Sequence, residues 1–139
     1  MSLTLIALAA AAATATHTIP VHHAGSVVEA VYTARADIQT RTIGAAVPNR
    51  TDMRRCLWTA TLIVERQLDG TPATPRIIAN DKQLSGSRSG PCSDGKTRSI
   101  EQEVASRKDA IHSHLMAVAQ RDQAPLLAEL DTMRTVASN

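Results

Sequence analysis

Apolar and polar positions alternate along two stretches of the 139-residue chain. Between Val27 and Ile43, Tyr32, Ala34, Ala36 and Ile38 fall on one face, with Thr33, Arg35, Asp37, Gln39 and Arg41 on the other. A period of two with one apolar face predicts a half-buried strand. Between Cys56 and Leu68, Trp58, Ala60, Leu62 and Val64 alternate with Leu57, Thr59, Thr61 and Ile63, so both faces are apolar or threonine. That pattern predicts a central strand. The breakers of Pro48–Asp52 separate the two strands, and Asp69-Gly70 opens a turn that Pro72 and Pro75 extend. A shorter strand from Arg76 to Leu84 completes a three-stranded antiparallel meander.

Beyond the breaker-rich stretch Ser85–Gly95 the period changes to that of a helix. Ser99, with Gln102 three residues on, has the form of a capping box. Ile100, Val104, Ile111, Leu115 and Val118 then form one stripe at helical spacing, with Arg107 beside it. Pro125 predicts the start of a second segment, striped by Leu126, Leu130, Met133 and Ala137. Each stripe needs a surface to cover, and the sheet provides one. The expected class is α+β: a small three-stranded meander packed against one or two C-terminal helices, forming a single domain over 27–139.

Two segments precede that domain. Residues 1–15 are uncharged and almost wholly apolar, and they end in Ala13-Thr14-Ala15. This is the small-x-small pattern of a signal-peptidase site, and the run is shorter than the roughly 20 residues a membrane helix needs. No Lys or Arg precedes the apolar core, so the amino terminus alone supplies positive charge there. The expectation is export to a periplasm or to the exterior. Residues 16–26, with His17, His22 and His23, are polar and aperiodic, and read as an extended arm.

Export changes the reading of the cysteines. With no Phe, one Trp and one Tyr, the core lacks the side chains that bury most area. Small domains with thin cores use covalent staples, and the chain's two cysteines, Cys56 and Cys92, are expected to form a disulfide in an oxidising compartment. A net charge of +2 selects no partner. Arg76, Lys82, Arg88, Lys96 and Arg98 make a basic segment, but it lacks the interleaved aromatics of nucleic-acid surfaces. No nucleic-acid partner is expected, and no membrane span remains after signal cleavage.

Three patterns bear on chemistry. Gly90 to Thr97 fits the phosphate-loop pattern G-x-x-x-x-G-K-[ST], with Gly90, Gly95, Lys96 and Thr97 as its fixed positions. The stretch before it, Ser85–Ser89, reads as a polar turn, whereas the motif needs a buried strand in a parallel α/β fold. A glycine-rich loop leading into a helix is therefore the expectation. His17, His22 and His23 are imidazole donors suited to Cu or Zn, and deleting Thr16–His23 is expected to abolish metal uptake without harming the fold. His112 and His114 lie about 200° apart around a helix and cannot chelate together. The acidic residues Glu129 and Asp131 read as solvated helix positions, and no nucleophile or paired carboxylate stands out. The sequence points to an exported, non-enzymatic binding domain meeting a protein or another cell-envelope component, with no cofactor. Its alternatives are a Cu- or Zn-binding protein using the histidine arm, or an enzyme with a dispersed site.

Overall fold

The structure, a computed structural model, describes residues 12–69 and 74–138. Most of the predicted signal peptide lies outside the described residues, as does the 70–73 part of the predicted turn. The elements are β1 (Ala12–His23), β2 (Ser26–Ile43), β3 (Arg55–Leu68), β4 (Arg76–Ser89), α1 (Asp94–Ser106) and α2 (Lys108–Ser138). The strands pair antiparallel in the order β1-β2-β3-β4. The class is α+β, with four strands where three were expected.

The added strand is the expected arm. In β1, Ala15, His17, Ile19, Val21 and His23 are half-buried, while Thr16, Thr18, Pro20 and His22 are exposed. This alternation is hidden in the sequence because histidines at 17 and 23 occupy inward positions. Ala24 and Gly25 form a two-residue turn with φ of 51° and 80°, the left-handed pair of a tight hairpin. Pro20, which has no N–H to donate, fits an edge strand.

One face of the sheet carries the core. Ala30, Tyr32, Ala34 and Ala36 of β2 and Trp58, Ala60, Leu62 and Val64 of β3 are buried against Ile100, Val104, Ile111, Leu115, Val118 and Leu126 of the helices. Each fully buried Leu, Ile or Val contributes about 1.5–3 kcal/mol. Alanines across the sheet centre leave room for the helical layer. Trp58 crosses to β4, where Gly86 is its register partner. A Cβ at Gly86 would sit 2.7 Å from the indole.

Three boundaries move from their sequence-based places. β4 continues through Ser89, so Ser85–Ser89 is strand and not turn. The helix begins at Asp94, capped by Ser93, whose side chain accepts from the Lys96 amide. Its first turn holds no apolar stripe residue, which is why periodicity placed the start at Ser99. The helical break falls at Arg107, and α2 runs straight through Pro125. At the break the Arg107 guanidinium lies 5.6 Å from the Trp58 ring centroid and bonds Glu103. Pro125 removes one backbone bond, to the Arg121 carbonyl, while Leu126 and Leu130 remain buried beyond it and hold the helix on the sheet.

Cys56 and Cys92 form a disulfide spanning 36 residues. It joins the start of β3 to the residues just before α1. On the chain-entropy model a loop of this length is worth about 4 kcal/mol.

Candidate ligand-binding cleft

Both helices pack over β1 and β2, and α2 also reaches β3. The later half of β4 is tied to α1 by Arg88, which donates to Glu103 at 2.6 Å and to the Ser99 carbonyl at 3.4 Å. The earlier half departs from regular pairing. Register runs from Leu62↔Lys82 to Val64↔Ala79 and then Glu65↔Ile77, so β4 uses one extra residue at each step. A bulge leaves its extra residue outside the ladder and re-aims the chain. Here the two bulges border an open cleft between β4 and α2.

The cleft has two adjoining lobes of about 370 and 420 Å³. They share Ile78, Asp122 and Pro125. Ala79, Asn80, Asp81, Val118 and Arg121 line one lobe, and Arg66, Arg76, Ile77 and Glu129 the other. On one wall, Ile78, Asn80 and Asp81 of the bulged strand have no register partner on β3. On the other, Pro125 has no N–H for the Arg121 carbonyl.

The floor is a buried ionic cluster that spans three elements. Arg66 is an inward residue of β3 and Asp122 an inward residue of α2; they are 4 % and 8 % exposed. Arg66 Nη1 donates to Asp122 Oδ2 at 2.5 Å, and Tyr32 Oη donates to the same oxygen at 2.8 Å. Arg66 Nη2 donates to Glu129, whose Oε2 also accepts from exposed Arg76 at 3.4 Å. Burial pushes the Tyr32 phenol well above its ordinary range, and the Asp122 carboxylate adds to that. Burial works against the Arg66 charge, but the bonds to Asp122 and the attraction of Asp122 and Glu129 outweigh it and raise Arg66 further. Across the lining, Arg66, Arg76 and Arg121 balance Asp81, Asp122 and Glu129. The cleft therefore selects neither an acidic nor a basic ligand by net charge.

Of these residues only Arg76 belonged to a sequence candidate, the basic segment. Two signals point to them: Arg66 continues the buried even-numbered series of β3, and Asp122 lies on the helical stripe between Val118 and Leu126. A charged residue on a buried face requires a partner.

The sequence candidates lie elsewhere. In the loop before α1, Lys96 Nζ donates to the Pro91 carbonyl at 2.7 Å, so its ammonium is held by its own loop. Gly90, at φ +83°, lies against that ammonium: a Cβ there would meet Nζ at 2.4 Å. Thr97 Oγ1 donates to the Ser93 carbonyl at 3.0 Å, and Gly95 has open space around its Cα. The helix starts one residue before Gly95, and the strand ahead of it is a sheet edge.

The three histidines of β1 do not converge. By strand alternation His17 and His23 face the helical layer and His22 the opposite side. His23 Nε2 lies 2.5 Å from Asp131 Oδ1, and His17 meets His112. Deleting Thr16–His23 would remove most of an edge strand, so that deletion cannot spare the fold. Among the described residues no group of three or more His, Cys, Asp or Glu is arranged to hold a metal ion. Nor is any described helix long and apolar enough to cross a membrane.

No protein-family model matches the chain, nor does any curated protein or solved structure.

Proposed function

We propose that this is an exported, non-enzymatic binding domain that receives a short extended segment of another protein in the cleft between β4 and α2. The bulged edge of β4 carries the reading: Ile78, Asn80 and Asp81, which have no register partner on β3, line a cleft of several hundred Å³. Extended peptides use such groups for affinity and neighbouring pockets for specificity. The apolar lining of Ile78, Ala79, Val118 and Pro125 suits an aliphatic side chain, and the balanced charges suit an uncharged segment. The Cys56–Cys92 bond supports an oxidising compartment, where disulfides persist.

Panning a displayed library of random peptides against the oxidised chain tests the proposal. Enriched sequences should be uncharged and aliphatic, and should shift the NMR amide signals of Ile78–Asp81 and Val118–Asp122. Ile78→Ala should weaken them about tenfold, equivalent to about 1.4 kcal/mol. Absence of enrichment, or binders that perturb only the uncovered sheet face or β1, would sink it.

A further inference from the structure

Two imidazoles from distant parts of the chain meet where β1 passes beneath α2. His17 is half-buried at an inward position of β1, while His112 is exposed on the second turn of α2. Their ring centroids are 6.4 Å apart and their planes cross at 89°. Among the described residues neither ring has a hydrogen-bond or ion-pair partner, so neither nitrogen pair is engaged. The other histidines are placed differently: His23 is on Asp131, His22 alternates to the far side, and half-buried His114 feels the charges of Asp81, Arg121 and Lys82.

With metal–nitrogen bonds of about 2.0–2.1 Å, two imidazoles sharing an ion place their centroids roughly 5–6 Å apart. The observed 6.4 Å lies a little beyond that range, and His112, being exposed, is free to rotate and close the gap. We propose that His17 and His112 form a two-imidazole clamp for a divalent late transition metal, with water filling the remaining positions. Affinity rises along the first row to Cu(II), so copper is the ion of choice ahead of Ni(II) or Zn(II). Metal binds the neutral imidazole, so protons compete with uptake. The disulfide removes both cysteines from competition for copper. A site with only two protein ligands exchanges its ion readily, which fits reversible capture better than storage. It would also bridge the amino-terminal strand to the long helix, independently of the cleft.

The full-length oxidised chain titrated with Cu(II) at pH 7.5, followed by calorimetry and by electron paramagnetic resonance, tests the clamp. One ion per chain with two imidazole nitrogens in its coordination sphere is expected. His112→Ala, at an exposed position that leaves the fold alone, should weaken binding at least tenfold, as should His17→Ala. His22→Ala should change it less than twofold. No binding would overturn the proposal. So would binding that survives His112→Ala, or binding that His22→Ala removes.

Discussion

The two edges of the sheet are treated in opposite ways. β1 is regular from Thr16 to His23 and covered: both helices pack against it, its inward side chains reach them, and His23 lies on Asp131. β4 is bulged twice, and its first half borders an open cleft. Exposed edges invite unwanted pairing, and proteins blunt them by covering them or by bulging them. Covering turns inward side chains of the strand, Ile19 and Val21 among them, against the core. Bulging keeps long-range pairing at bay but leaves a few main-chain groups unengaged, beside whatever cavity the displaced chain creates. Of the two edges, β4 is the one that borders the cleft with residues outside the ladder.

The comparison breaks most severely at the floor of the cleft. Arg66→Met leaves Asp122 buried without its cation, and loss of one partner of a buried pair costs about 3–5 kcal/mol. Urea unfolding should show this, and Arg66→Met with Asp122→Leu should recover most of it, because an apolar pair leaves no stranded charge. A double mutant as unstable as the single one would mean that the cluster shapes the cleft through more than charge balance.

Cutting the disulfide by Cys56→Ala with Cys92→Ala should cost up to about 4 kcal/mol on the chain-entropy model. The midpoint of thermal unfolding should fall accordingly. Amide exchange should rise first in the loop between β4 and α1, with β1 and β2 least affected.

At the covered edge the expected effect is smaller and of opposite sign. Ala24 adopts φ 51° in the β1–β2 turn, a conformation that costs an L-residue about 1–2 kcal/mol and glycine almost nothing. Ala24→Gly should therefore stabilise the fold by about 1 kcal/mol, less the entropy glycine returns to the unfolded chain. Peptide binding at β4 should not change.

The smallest effect is in pH. His114 sits on the β4 side of α2; burial lowers its pKa, Arg121 and Lys82 add to that, and Asp81 opposes it. The unfolded chain takes up that proton first, so stability falls as the pH drops below the ordinary value of 6.5. Tyr32 has the reverse sign: its contribution is whole below its ordinary value of 10.0 and fades as the pH rises above it. His114→Gln should flatten the acid limb of a stability-versus-pH curve, and Tyr32→Phe the alkaline limb.

Where one face was uniformly apolar, the fold was readable from the sequence. β2 and β3 follow from the Tyr32–Ile38 and Trp58–Val64 series, and the disulfide from two cysteines in a chain with few aromatics. β1 was hidden by His17 and His23, which count as polar yet point inward. The last part of β4 was hidden because an edge strand offers few inward contacts there, chiefly Leu84 and the bare Gly86 beneath Trp58. Ser93 lost to Ser99 as the helix start because the first turn faces no core. The cleft itself was not readable. Its shape comes from bulges, which are properties of register between two strands, and its floor joins residues 32, 66, 122 and 129, which only the tertiary fold brings together.

Trp58 gives the molecule a built-in optical gauge. It is the chain's single indole, 2 % exposed, with no partner for its Nε1 among the described residues, pressed between the bare Gly86 and the Arg107 cation. Its emission should sit at short wavelength while sheet and helices stay together. A red shift then means that this cover has opened, at the α1–α2 joint or between β3 and β4.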